Sequence, residues 1–188
     1  MNDRLGPASK ILVVGTSGSG KSTFARKLAS RLGLTDIELD ALFWGPDWTE
    51  APQPVFRGRI ESAMAGGEGW VVHGNYNKVR DLTWGRADTL IWLDYSLPVV
   101  LWRVTKRSVF RIFKGEKLWS GNRESVRKVF FSRDSIILWA LQTYSSIKRQ
   151  YEALIRDKTY AQLRIVRFKS PKEASEFLAN ARGAGPGL

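Results

Sequence analysis

The residues from Gly15 to Ser22 read Gly-Thr-Ser-Gly-Ser-Gly-Lys-Ser, which matches the pattern G-x-x-x-x-G-K-[ST] at every fixed position. Glycines let a backbone curl so that successive N–H groups point inward and cradle phosphate oxygens. The Lys21 ammonium then suits the β- and γ-phosphates of a nucleotide, and the Ser22 hydroxyl suits Mg²⁺. A glycine-rich turn that serves only strand-to-helix packing is the alternative. The pattern predicts binding of ATP or GTP by the residues Gly15, Thr16, Ser17, Gly18, Ser19, Gly20, Lys21, Ser22 and Thr23.

Two aspartates follow short apolar runs and are further candidates for chemistry. Asp40 can accept a hydrogen bond from a substrate hydroxyl or act as its base, and it can equally cap a loop. Asp94 follows a run at residues 89–93 and is a candidate for holding a Mg²⁺-bound water. A cap at the end of a strand is the alternative role of Asp94.

Basic residues are concentrated in one part of the chain. Residues 101–170 hold 17 basic and 5 acidic side chains, so the whole net charge of +12 lies there. Arg103 and Arg107 are four residues apart, as are Arg123 and Arg127, so each pair shares a helix face. A partner rich in phosphate fits this charge, whether a nucleotide, a nucleic acid or an anionic membrane, and a solvated helix face is the alternative.

The elements that must position these residues alternate along the chain. Apolar runs predict strands at residues 11–14, 37–40, 70–73, 89–93 and 163–168. Helical spacing predicts helices at residues 21–32, 55–65, 97–113, 124–155 and 171–180. A capping box from Ser170 to Glu173 opens the last helix. This alternation predicts an α/β fold with three layers, in which helices cover both faces of a five-stranded parallel sheet. Ligands of such sheets bind at the carboxyl ends of the strands, where Asp40, Asn75 and Asp94 fall.

Composition excludes several classes of protein. The chain has 188 residues, no cysteine and one histidine, which excludes disulfide scaffolds, thiolate metal sites and multi-histidine zinc sites. Its longest apolar run, residues 136–141, is far shorter than a membrane span, and residues 1–10 lack a signal-peptide core. We expect one cytoplasmic domain at residues 1–182 that contacts no membrane, with a disordered tail at residues 183–188.

The chain resembles the adenylate kinase-like branch of the P-loop NTPases, which includes the nucleoside monophosphate kinases and shikimate kinase. It looks closest to the group called DNA topology modulation proteins. The resemblance covers nearly the whole length, and it is carried by the glycine loop and by the segments 40–44, 74–76, 91–94 and 116–124.

This resemblance implies a P-loop kinase fold with a helical lid at about residues 114–134. Lid arginines of such enzymes hold the donor phosphates and stabilise charge during phosphoryl transfer, a role that would fall to Arg103, Arg107 and Arg123 beside Lys21. Relatives contact the acceptor after the third strand, where this chain has Asn75 and Arg80; Arg80 can equally pair with Asp81 or solvent. Many relatives end that strand with an aspartate that organises the waters of the metal, and this chain has His73 there.

Two functions of different classes follow from these residues, and a third possibility combines them, with a polynucleotide end as the phosphate acceptor. The first is a kinase that transfers the γ-phosphate of Mg·ATP to a small-molecule acceptor, for example a nucleoside monophosphate. The second is a nucleotide-regulated nucleic-acid-binding protein, in which the basic region 101–170 and its interleaved aromatic residues contact phosphates and bases. Their dependence on salt separates them, because binding to many phosphates collapses as ionic strength rises.

Overall fold

A computed structural model describes residues 5–114, 119–121 and 136–181. Its centre is a five-stranded sheet with the strand order β2-β3-β1-β4-β5, in which every pair of neighbouring strands is parallel. The predicted α/β class and the five-stranded parallel sheet are therefore confirmed. None of the helices that the structure describes is long and apolar enough to cross a membrane.

The elements follow one another in regular alternation. The strands are β1 (Lys10–Gly15), β2 (Thr35–Glu38), β3 (Trp70–His73), β4 (Thr89–Leu93) and β5 (Arg164–Phe168). The helices are α1 (Lys21–Leu32), α2 (Leu39–Phe43), α3 (Gln53–Ala65), α4 (Arg80–Thr83), α5 (Leu97–Lys114), α6 (Ile136–Arg156) and α7 (Pro171–Asn180). Short 3₁₀ turns lie at Pro46–Trp48, Asn77–Val79, Trp119–Gly121 and Lys158–Tyr160.

The side chains of β1 alternate between two buried cores, one on each face of the sheet. Leu12 and Val14 pack with residues of α3 and α6, including Tyr151. Ile11 and Val13 pack with residues of α1, α5 and α7. A strand that is buried on both faces is typical of a parallel sheet with helices on both sides, so the predicted three layers are present.

The end of the second strand differs from the prediction, whereas the predicted start of the last helix is present. The second strand ends at Glu38 rather than at Asp40, because its pairing with β3 stops where Glu38 lies opposite His73. Asp40 lies in the first turn of α2 instead. The predicted capping box is confirmed: the Glu173 amide donates to the Ser170 hydroxyl at 3.3 Å, and that hydroxyl donates to the Glu173 carboxylate at 2.9 Å.

Part of the predicted organisation falls outside the described residues. The expected lid at residues 114–134 and the expected tail at residues 183–188 lie almost wholly beyond them, as does the first third of the helix predicted over 124–155. The described part of that helix, α6, runs from residue 136 to residue 156.

Candidate functional site

The glycine loop joins the carboxyl end of β1 to the first turn of α1. Gly18 and Gly20 have φ angles of 81° and 90°, which favour glycine. A Cβ atom on Gly18 would lie 2.8 Å from the carbonyl oxygen of Val100, and one on Gly20 would lie 2.9 Å from Arg103 Nη1. The loop therefore packs closely on α5: a side chain at Gly18 would clash with backbone, and one at Gly20 would require the Arg103 guanidinium to move. It places the N-terminus of a twelve-residue helix, with its unpaired N–H groups, at the end of the central strand.

Two hydroxyl groups are buried inside this loop. The Thr16 side chain belongs to a residue that is 6% exposed, and Ser19 is fully buried. Within the described part of the chain neither hydroxyl has a hydrogen-bond partner. Buried polar groups are nearly always paired in folded proteins, so two unpaired hydroxyls in one loop are unusual.

Lys21 is the first residue of α1, and its ammonium folds back over the loop. Its Nζ atom donates a hydrogen bond to the Thr16 carbonyl at 3.1 Å. Burial lowers the pKa of Lys21 to about 8, while the negative charge of Asp40 raises that pKa and the positive charge of Arg107 lowers it further. The charges of Asp40 and Arg107 therefore both act on Lys21.

Arg103 lies one turn before Arg107 on the same face of α5. Its Nη1 atom donates to the Ser19 carbonyl at 3.0 Å, and its guanidinium lies 5.3 Å from the centre of the Tyr95 ring. The structure thus brings two of the three predicted lid arginines to the glycine loop, from a helix that packs against it. Arg123, the third, lies outside the described residues.

Asp40 lies in the first turn of α2, directly after β2. The Tyr76 hydroxyl donates to its Oδ1 atom at 2.6 Å. Burial and the charge of Asp40 both raise the pKa of Tyr76, so this hydroxyl keeps its proton and remains a donor. This hydrogen bond orients the Asp40 carboxylate. Tyr76 contacts only its Oδ1 atom and not Oδ2. The charge of Asp40 also acts on Lys21 at the start of α1.

Asn75 and Arg80, the other predicted acceptor contacts, are engaged within the protein. Asn75 donates from Nδ2 to the Gly15 carbonyl at 2.8 Å and accepts at Oδ1 from the Tyr151 hydroxyl at 2.8 Å. Asn75 therefore connects α6 to the glycine loop through two hydrogen bonds. Arg80 donates to Asn77 at 2.6 Å and lies over the Trp84 ring at 5.7 Å.

Asp94 forms ion pairs at the end of β4. Its Oδ2 atom accepts from Arg167 Nε at 2.9 Å and from Arg167 Nη2 at 2.5 Å, and Lys148 Nζ lies 3.3 Å from Oδ1. Both oxygens thus contact cations, which favours the strand-end role over the predicted metal role. The described residues include no group of three or more acidic or histidine side chains arranged to hold a metal ion. Ser22, the other predicted magnesium ligand, lies half-buried at the start of α1.

His73 is buried at the end of β3, where the resemblance leads one to expect an aspartate. Its side chain is 1% exposed, and its Nε2 atom lies 3.3 Å from Asp36 Oδ1. Asp36 in turn lies 3.9 Å from Arg26 on α1. His73 is thus enclosed between strands and helix, in the manner of a packed residue.

Two tyrosines that were not predicted as site residues contact residues that were. The Tyr76 hydroxyl orients Asp40, and the Tyr151 hydroxyl orients Asn75. Tyr76 adjoins Asn75 in the chain, and that adjacency was a usable signal. Tyr151 comes from α6, 76 residues after its partner, and no local pattern indicates such a contact. Comparison of the sequence with models of known families and with curated proteins gives no match.

Proposed function

We propose that this protein is an ATP-dependent phosphotransferase of the adenylate kinase-like type. The observation that carries the proposal is the meeting of three features at one edge of the sheet. These are a glycine loop at a helix N-terminus, the action of the Arg107 and Asp40 charges on Lys21, and a carboxylate oriented by Tyr76. The strand order adds support. The next two strands of the chain, β2 and β3, lie on one side of β1, whereas β4 and β5 lie on the other side. Open parallel sheets bind ligands at such a switch point.

In this proposal the triphosphate lies along the glycine loop. Loop N–H groups and the first turn of α1 bind the phosphate oxygens. Lys21, Arg103 and Arg107 stabilise the charge that moves onto the bridging oxygen as the γ-phosphoryl group leaves. Mg²⁺ would be held by the Ser22 hydroxyl together with the phosphates, and would neutralise charge on them. Asp40 would take the proton of the attacking hydroxyl.

The decisive experiment measures ADP release from Mg·ATP with a panel of acceptors. The panel contains nucleosides, nucleoside monophosphates, shikimate, gluconate and an oligonucleotide with a 5′-hydroxyl. We expect acceptor-dependent release that Lys21→Ala abolishes and that Asp40→Asn lowers about 10²- to 10⁴-fold with little change in ATP affinity. Lys27→Ala, at an exposed lysine of the same helix, is the matched control. Unchanged ADP release by Lys21→Ala would contradict the proposal.

A second function, nucleotide-regulated binding of nucleic acid, has one structural observation in its favour. Trp102 and Phe110 on α5 are 68% and 54% exposed, and they lie on the surface beside Lys106. Exposed aromatic side chains next to cations suit base stacking combined with phosphate contact. The kinase proposal is preferred, because Arg103 and Arg107 of the same helix are directed at the glycine loop.

A further inference from the structure

A row of aromatic rings begins beside Asp40. It starts at Tyr76, whose hydroxyl contacts Asp40. Neighbouring ring centres are 4.8, 4.9, 5.7 and 6.3 Å apart through the aromatic row Tyr76, Phe43, Trp44, Trp48 and Trp119. Phe43 and Tyr76 pack on the core below α3, and the three tryptophans that continue the row are half-buried. Each of these indoles therefore retains accessible surface beside the proposed site.

The backbone that carries the outer tryptophans has an unusual conformation. Among the described residues, the non-glycine residues with positive φ are Asp47, Trp48 and Ser120, at 54°, 59° and 55°. All three lie in the two short turns that bring Trp48 and Trp119 together, and the Ser120 hydroxyl donates to the Trp44 carbonyl at 2.8 Å. Left-handed conformations are costly for such residues and concentrate at functional sites. The fold thus accepts backbone strain to hold these indoles in place.

Among the described residues, three arginines of α3 and α4 are engaged in contacts within the protein. Arg57 forms a two-pronged pair with Asp81, with N–O distances of 2.9 and 2.6 Å. Arg59 donates to the Leu42 carbonyl at 2.8 Å, and Arg80 donates to Asn77 at 2.6 Å. Arginine is the usual residue for gripping a phosphate group with two hydrogen bonds. A phosphorylated acceptor could recruit one of these arginines only by breaking an existing contact.

The site therefore has two unlike ends with Asp40 between them. One end is cationic, formed by Lys21, Arg103 and Arg107, and the other is the aromatic row. Asp40 belongs to both, because its charge raises the pKa of Lys21 and its Oδ1 atom accepts from Tyr76. Cations suit the donor phosphates, and indole faces suit a planar uncharged ring.

We propose that the phosphate acceptor is a neutral molecule that carries both an aromatic ring and a hydroxyl group, and that its ring stacks on Trp44 and Trp48. This inference rests on the proposed phosphotransferase function and names its substrate class. The acceptor oxygen forms a bond to the γ-phosphorus of ATP, and the bond from that phosphorus to the β–γ bridging oxygen breaks. ADP leaves with the electron pair of the broken bond, and Asp40 takes the proton of the hydroxyl.

The test compares three matched arms of acceptors under Mg·ATP. The aromatic alcohols are adenosine, thymidine and pyridoxine; the second arm holds their monophosphates; the third holds ribose, gluconate and glycerol. We expect kcat/KM for at least one aromatic alcohol to exceed every value in the other two arms by tenfold or more. A monophosphate or a non-aromatic alcohol as the best acceptor overturns the inference and leaves the phosphotransferase proposal standing. The absence of acceptor-dependent turnover in all arms, with ATP binding intact, also overturns it.

A variant series locates the ring on the protein. Trp48→Gly removes the indole at a position whose φ of 59° suits glycine, so the substitution adds no backbone strain there. We expect the KM of the best aromatic alcohol to rise at least tenfold in this variant, while the KM of ATP changes less than twofold. Trp102→Leu, at an exposed tryptophan of α5, is the control and should change neither KM. Equal acceptor KM values for Trp48→Gly and the parent would overturn the assignment of the aromatic row.

Discussion

At the scale of single residues, Lys21 combines a positive charge with a partly buried position beside another cation. Burial and Arg107 both lower its pKa, and the carboxylate of Asp40 offsets only part of that effect. A lysine in this situation binds a proton less tightly than one in solvent. A triphosphate placed against it would favour the protonated form, so binding and protonation are linked.

This linkage predicts that ATP affinity depends on pH. With a pKa of about 8 in the free protein, Lys21 is mostly charged at pH 7 and mostly neutral at pH 9. We expect the Kd of ATP to rise about tenfold between pH 7 and pH 9, since each binding event must then also take up a proton. Calorimetric titration of the protein with ATP at several pH values measures this change in Kd.

Lys21→Arg supplies the control for this effect, because a guanidinium keeps its proton throughout that range. The variant is expected to bind ATP more weakly at pH 7, with a Kd that does not change up to pH 9. A Kd of the parent protein that is constant from pH 7 to pH 9 would contradict the role given to Lys21.

The residue types of the loop were predictable, whereas their partners were not. The pattern from Gly15 to Ser22 determines a local geometry, because glycine conformations and a helix N-terminus act over a few residues. The pairing of Asp94 with Arg167 and Lys148 joins residues 73 and 54 positions apart. Such contacts depend on which strand lies next to β4, and a single sequence gives no direct sign of that.

At the scale of elements, the turn after β3 shows how tightly the strands and helices around the site are packed. Gly74 has a φ of 136°, and a Cβ atom there would lie 2.7 Å from the Cβ of Leu39 in α2. We expect Gly74→Ala to lower the free energy of unfolding by about 2–4 kcal/mol, through backbone strain and overpacking. Urea denaturation measures the change.

Gly58 offers the opposite case on α3. A Cβ atom at this position meets no other heavy atom within 4 Å, and the residue lies inside the helix. Gly58→Ala is expected to raise the free energy of unfolding by about 0.5–1 kcal/mol, because alanine loses less backbone entropy on folding. If both substitutions changed the free energy of unfolding equally, Leu39 of α2 would not restrict the space beside Gly74.

The connection from α6 to the glycine loop predicts coupled effects of two substitutions. Asn75→Ala leaves the Gly15 carbonyl and the Tyr151 hydroxyl without their partner, and is expected to cost about 1–3 kcal/mol. Tyr151→Phe removes one of the same two hydrogen bonds and keeps the ring packed on Trp84 and Trp92. We expect the double variant to cost clearly less than the sum of the single variants, as shared contacts require. Additive costs in urea denaturation would mean that the two side chains act independently.

At the scale of the whole molecule, alternating apolar runs were sufficient to predict the α/β class and the five parallel strands. The order of those strands was not predictable from the runs, because each of them is short and apolar. The second strand illustrates the limit, since its apolar pattern continues through Leu39 while its pairing ends at Glu38. The close approach of Leu39 to Gly74, a tertiary contact, accompanies the change of direction there.

The uneven distribution of charge separates the two candidate functions at this scale. Residues 101–170 carry the whole positive excess, and α5 within that region has one face directed at the glycine loop and another in solvent. Contacts with several phosphates of a nucleic acid release counterions, so four such contacts weaken binding about a thousandfold or more when salt rises tenfold. A nucleotide held inside a partly buried loop is screened much less.

We therefore expect the Kd of ATP to change less than about tenfold between 50 and 500 mM salt. Any affinity for a 20-base-pair DNA duplex should be lost over the same range. Lys106→Glu reverses a charge on the exposed face of α5 and should weaken DNA binding without changing the Kd of ATP, because Arg103 and Arg107 remain in place. Fluorescence anisotropy of labelled DNA and calorimetry of ATP provide the two measurements. If DNA binding persisted at 500 mM salt and ATP bound only in its presence, nucleic acid would be the primary partner, and the loop would act as its nucleotide switch.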